Sequence, residues 1–211
     1  MMLSAPGRWP TQPLFTTVER IFVGIPISRH SVKSGQEAVF APVLSVGDIE
    51  DGRVSVLGEV PRVKLRPANF ERFRIQPDDV LVACRGTLFK VAPVGHDVGG
   101  VLASSNLITI RPNPSVVLPQ IILALFQSTQ WQEVIASRTR SSTGMVQITV
   151  KDIEDLPVPV PPRDVQEKLA ELIEAEDRTR HAAIEAANAR RTLVASFIEH
   201  ALLEPVQKRA S

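Results

Sequence analysis

The chain has little of what most chemistries need. One cysteine, Cys84, stands in 211 residues. It excludes an internal disulfide and lacks the companions of a cysteine-rich zinc site. The histidines His30, His96, His181 and His200 are scattered without ligand spacing. No apolar run approaches the roughly 18 residues that a membrane helix requires. The stretch from Met1 to Pro10 lacks the charged-then-apolar pattern of a secretion signal. These absences lead us to expect a cytoplasmic protein. Net charge is only +1, which argues against a generic nucleic-acid coat but leaves room for a local basic face.

Catalytic signatures are missing too. Methyl transfer to adenine in DNA needs an Asn/Asp-Pro-Pro-aromatic motif and a glycine-rich cofactor loop. Asn113-Pro114-Ser115 fails the first, and Gly99-Gly100 is too little for the second. A metal-dependent nuclease needs a carboxylate pair and a lysine. Pro77-Asp78 begins such a pattern, but no Glu/Asp-x-Lys follows it. Ser104 and Ser105 lack the setting of a nucleophile elbow. We expect no catalytic residue and no metal in this chain.

What is present is an ordinary folding composition, with 44% hydrophobic and 22% charged residues. The length suggests one globular domain with an appended element. Charge is uneven. From Arg53 to Arg74 six bases face two acids, +4, and from Ser137 to Lys151 three bases face none, +3. Such stretches are commonly solvated faces.

The first two-thirds of the chain reads as short strands cut by glycine and proline. Residues up to Pro13 look like a loose lead-in. Apolar runs follow at Val18–Ile27, Ala41–Ile49, Val54–Leu57 and Val60–Leu65. Asp79–Thr87 is a β-rich run that Phe89–Val94 can pair with as a hairpin, and Leu107–Arg111 is a strand stopped by Pro112. Helix is expected over Leu118–Phe126, and over Thr129–Ser137 behind an N-cap at Ser128. Arg138–Gln147 reads as a loop, and Thr149 as the cap of a single turn. Trp9 and Trp131 read as core or cover. This pattern predicts an α+β fold: a compact mixed sheet with packed helices over residues 1–162.

Pro157 to Pro162 cannot be helix. Asp164 and Glu167 then have capping-box spacing. Helix formers run on to Glu204, before a tail at 205–211. Roughly 40 residues make a rod of roughly 60 Å. Its apolar residues gather at two ends, with Leu169, Leu172 and Ile173 at one and Ile184, Val194, Phe197 and Ile198 at the other. The middle is polar and alanine-rich. Two arrangements fit: antiparallel pairing with a second copy, or folding back on its own domain. The repeat is not a clean heptad, so a strict coiled coil is not expected.

Several of these segments, taken in order, resemble the specificity subunits of type I restriction–modification systems. The residues that carry the resemblance are Gly24-Ile-Pro-Ile27, Val43–Ile49, Asp79–Thr87, Ser105–Pro112, and the series Gly144, Leu156, Pro161-Pro162, Gln166. Asp78 stands where that family usually has glycine. The resemblance implies a half-length, non-catalytic subunit with a single target recognition domain. It also implies double-stranded DNA and an adenine methyltransferase subunit as partners, and an ATP-dependent nuclease subunit in some systems. S-adenosylmethionine would be carried by the methyltransferase, with no cofactor here. Two copies would pair through the long helix as a homodimer. Three other readings remain: a fragment of a longer gene, an interaction scaffold derived from such a subunit that reads no DNA, or an enzyme whose motif is of an unfamiliar kind.

Under that resemblance three regions are candidates for DNA contact. The first is Arg138–Gln147. Arg138 and Arg140 neutralise phosphate and Ser142 and Thr143 donate hydrogen bonds; either Gln147 here or Gln36 can read adenine, and an arginine can read guanine. The second is Arg85, Thr87 and Lys90, either a hairpin tip entering a groove or a turn whose arginine pairs with Asp78 or Asp79. The third is the polar loop holding Lys33 and Gln36.

Overall fold

A computed structural model describes residues 8–33, 35–54, 58–86, 89–98, 100–142 and 145–203. The chain divides into two compact units, Met1–Ala170 and Glu171–Ser211. The first opens with β1 (Thr11–Pro13), α1 (Leu14–Thr17), β2 (Val18–Val23), β3 (Val39–Leu44), β4 (Ile49–Glu50) and β5 (Arg53–Val54). It continues with β6 (Arg62–Leu65), β7 (Val80–Ala83), β8 (Arg85–Gly86), β9 (Val91–Pro93), β10 (Leu102–Ala103) and β11 (Leu107–Pro112). Then come α2 (Pro119–Gln127), α3 (Thr129–Arg138), β12 (Arg140–Ser142), β13 (Met145–Gln147), α4 (Val150–Ile153) and β14 (Pro157–Pro159). A single helix, α5 (Arg163–Leu203), starts in the first unit and makes up the described part of the second.

Strand β11 is the centre. It pairs antiparallel with β2 on one side and β7 on the other, and β9 completes the sheet β2-β11-β7-β9. Leu107, Ile108, Thr109, Ile110 and Pro112 are all buried, so both faces of β11 are covered. A strand covered on both faces must be apolar nearly throughout, which explains its unalternating sequence. A second sheet has the order β10-β3-β6, with β10 parallel to β3. The sheets are tied at the turn between β10 and β11. There Ser104 N–H donates to the Leu44 carbonyl at 2.8 Å, Ser105 N–H to Ile25 at 2.9 Å, and Cys84 N–H to Asn106 at 2.9 Å. Gly24 crosses this junction so closely that an added Cβ would lie 2.2 Å from the Ala103 carbonyl oxygen. Only glycine fits there.

Two polar contacts pin this framework. Asp79, fully buried, accepts Arg111 Nε at 2.8 Å and Nη2 at 2.9 Å, and also the Gln76 N–H at 2.8 Å. This forked pair ties the start of β7 to the end of β11. Donating these hydrogen bonds to Asp79 pushes the Arg111 guanidinium further up, against the opposing effect of burial. Gln166, 3% exposed, uses both ends of its amide. Its Oε1 accepts the Leu118 N–H at 2.8 Å, and its Nε2 donates to the carbonyls of Val116 and Pro161 at 3.1 and 3.0 Å. The root of α5 is thereby clasped to the segment that launches α2.

The expected α+β class is what the structure has, with the expected helices at α2 and α3 and the hairpin of β7 and β9. Ser128 Oγ accepts the Trp131 N–H, and Trp131 is core, edge-on to Phe126 at 5.2 Å. Thr149 caps α4 in a box with Asp152. Three readings need correction. The lead-in ending at Pro13 is a strand, β1, antiparallel to β14. The first helical residue of α5 is Arg163, so Asp164 lies inside the first turn and does not cap it. Finally, Arg138–Gln147 is not a plain loop, because β12 and β13 form a hairpin within it. Of the expected strand Val54–Leu57, residues 55–57 lie outside the described residues.

The two contacts differ in what their loss should cost. Asp79→Ala strands a mostly buried guanidinium and should lower unfolding free energy by about 3–5 kcal/mol. Gln166→Leu leaves neutral groups unmatched and should cost about 1–3 kcal/mol. Urea denaturation of both variants checks the order; equal or negligible losses would refute it.

Candidate nucleic-acid interface

Strand β7 lies in the core up to Ala83, and Cys84 beside it is still buried. Burial pushes the Cys84 thiol up despite the neighbouring Arg85. Its sulfur lies 3.6 Å from the Ser105 carbonyl oxygen. One residue later the chain reaches solvent at Arg85. There β8 pairs with β13, and β13 with β12, as an antiparallel ribbon β12-β13-β8. The ribbon is rooted by the Ile148 N–H donating to the Cys84 carbonyl at 2.9 Å, both residues being buried.

The register puts Gln147 directly opposite Arg85, and Arg140 directly opposite Gln147. Arg85 and Gln147 are exposed. Directly opposed residues of an antiparallel pair face the same side. An arginine and an amide thus share one rung, although they come from separate regions of the sequence. A guanidinium offers forked donors to guanine or phosphate, and an amide offers a donor and an acceptor to adenine. Asp79 is taken by Arg111, and among the described residues Arg85 has no salt bridge. That removes the alternative of Arg85 as a turn arginine paired with Asp79.

The other candidates fall differently. Lys90 donates to the carbonyls of Ile49 at 2.6 Å and Val46 at 3.2 Å, so its ammonium fastens the β4 segment beneath it. Arg138 ends α3, where Nη1 donates to the Asp152 carbonyl at 3.2 Å and braces α4. Ser142 sits on β12, opposite Met145. Thr87 and Thr143 lie outside the described residues. Lys33 and Gln36 close a tight turn of their own. The Lys33 N–H donates to Gln36 Oε1 at 3.1 Å and the Gln36 N–H to the Lys33 carbonyl at 3.2 Å, around Gly35 at φ 82°. Both side chains are exposed. Among the described residues no group of three or more His, Cys, Asp or Glu side chains is gathered as metal ligands would be. Nor, among them, is any helix long and apolar enough to cross a membrane.

On α5, Leu169, Leu172, Val194, Phe197 and Ile198 are exposed, at 37, 65, 51, 71 and 50%. Ile173 and Ile184 are half-buried. Sequence reading passed over Leu193, exposed at 71%, although its spacing to Phe197 is that of helix neighbours.

A family model described as "Type I restriction modification DNA specificity domain" matches residues 36–188. The putative type I restriction enzyme MjaX specificity subunit of Methanocaldococcus jannaschii is 22% identical over 173 residues, covering 80% of this chain and 39% of that protein. The solved HsdS subunit from Thermoanaerobacter tengcongensis superposes with a TM-score of 0.59 at 19% identity, over 98% of this chain and 52% of that one. The type I restriction-modification S subunit from M. genitalium gives 0.56 at 13% identity, over 95% and 47%. The fold is shared with these structures. The chain spans about two-fifths of the curated relative and about half of each solved chain.

Arg85→Ala and Gln147→Ala remove exposed side chains and should shift stability by about 0.5 kcal/mol or less. If the rung reads bases, Gln147→Ala should relax preference at one base pair by about 1–3 kcal/mol. Duplex competition with single-base substitutions measures this. A uniform loss across all sequences would show a phosphate contact instead.

Proposed function

The chain belongs to the type I restriction–modification DNA specificity family, and from that premise we propose that it reads a defined sequence in double-stranded DNA. It performs no chemistry. It positions its target for a separate adenine methyltransferase subunit in the cytoplasm, and for an ATP-dependent nuclease subunit in systems that have one. The methyltransferase holds S-adenosylmethionine and receives the extruded adenine. Residues 1–162 act as the target recognition domain and residues 163–204 as the helix for dimerisation and docking, with 205–211 as a tail.

The observation that carries this reading is the exposed rung of Arg85 opposite Gln147, on a ribbon rooted in the core. Such a rung can present donors and acceptors to base edges from a rigid base. The exposed residues Leu193, Val194, Phe197 and Ile198 support pairing with a second copy, because they leave two apolar side chains in water on each of two successive turns. A two-fold pair of single-domain subunits would read inverted half-sites at a set spacing.

Selection of bound duplexes from a random pool tests this, using the purified chain with and without a type I methyltransferase subunit. The expected result is one enriched pair of inverted half-sites. No enrichment in either condition, with the methyltransferase still bound, would leave only an interaction scaffold. Sedimentation tests the dimer separately. The chain should sediment as a dimer and Leu193→Glu/Phe197→Glu as a monomer; a monomeric parent chain would remove the dimer.

A further inference from the structure

The recognition domain has a second basic surface, on the solvent face of β3 and β6. Register places Phe40 opposite Lys64 and Pro42 opposite Arg62. Alternation puts these four positions on one face, away from buried Leu65. Phe40 is 59% exposed. Arg62 Nη2 donates to the Phe40 carbonyl at 3.0 Å, which holds the guanidinium at the β3 backbone and uses one of its five donors. An exposed phenyl alone means little. This one stands across the ladder from Lys64, with Arg62 two residues along the same strand.

A cleft lies past the end of β6, where Arg66 follows the strand. Ser31 bridges Leu65, the Arg66 N–H donates to the His30 carbonyl at 2.9 Å, and the Arg66 guanidinium donates to the Arg29 carbonyl. These bonds hold the segment from Arg29 to Ser31 against the end of β6. The cleft, of about 520 Å³, lies beside it, lined by His30, Gln36, Glu37, Arg66, Pro67 and Ala68. Over residues 29–40 and 61–66 the bases Arg29, Lys33, Arg62, Lys64 and Arg66 face the single acid Glu37, five minus one or +4, against +1 for the whole chain. So marked a local excess favours a polyanion over an apolar protein partner.

We infer that the Phe40–Arg62–Lys64 face is a second DNA contact, engaging the duplex backbone through Arg62 and Lys64. Phe40, across the ladder from Lys64, rests on deoxyribose or a thymine methyl. The cleft with Gln36 and Arg66 lies at its end. This rests on the DNA-reading function proposed above and adds a surface that the candidate rung does not include.

The test measures anisotropy of a labelled mixed-sequence duplex with the full chain, alone and with a methyltransferase subunit, across a salt series. Lys64→Ala should weaken binding about threefold to tenfold and lower the salt slope by about one. Lys64→Arg should restore both. Phe40→Ser should weaken binding with the slope unchanged. In the unaltered protein, duplex DNA should shield Lys64 from acetylation, a readout that no folding defect can mimic. If the parent chain binds DNA and needs Arg85, yet Lys64 is unshielded and both variants bind normally, this face is not a contact and the DNA-reading proposal survives. If Phe40→Ser loses only the methyltransferase subunit, the face is a protein dock and the inference fails. If the parent chain binds no duplex in either condition, both proposals fall together.

Discussion

The ladder between β7 and β11, closed at one end by Asp79 and Arg111, is the constraint on which the rest depends. A carboxylate with only 1% of its side chain exposed is tolerable only when its charge and lone pairs are met. Arg111 and the Gln76 N–H meet them, and in doing so they fix which residue of β7 faces which residue of β11. The other end of β7 runs through Cys84 straight into β8. The exposed rung of Arg85 and Gln147 therefore continues from β7, whose four residues are all buried. A side chain meant to discriminate base edges gains from such a root, because discrimination is lost when the donor can wander.

The long helix has its own logic. Its root is held by Gln166, which leaves no polar atom of the buried amide idle. Intrahelical pairs, Arg163–Glu167 at the root and Arg180–Asp177 farther along, lend local support. Exposed pairs of this kind contribute little each. A helix of 41 residues with Leu193 and Phe197 in water is not explained by such pairs. The proposed dimer would cover that surface with a matching helix.

The local elements were legible in the sequence, because local rules govern them. Ser128 before Thr129, Thr149 as the cap of a single turn, and the proline run after Leu156 each act over a few residues, and the structure has all three. The strand β11 was legible as an apolar run ending at proline. What escaped was long-range. Ser141, Ser142 and the surrounding polar residues look like a loop, and only pairing with β8, tens of residues earlier, makes the segment a ribbon. Lys90 looked like a free cation at a hairpin tip. Its two carbonyl partners near residue 48 are invisible until the chain is folded. Likewise Thr11–Pro13 gives no strand signal alone and exists as β1 only because β14 is there to pair with it. The candidate rung was half-legible: both residues were singled out, but their meeting was not.

The central claim is that the Arg85–Gln147 rung faces base edges. It is tested most directly by placing a photo-crosslinking residue at position 147 and mapping crosslinks in the complex of chain, methyltransferase subunit and selected duplex. The account predicts crosslinks to bases at one fixed step within each half-site. Crosslinks to the methyltransferase alone, in a complex that still holds its DNA, would contradict it.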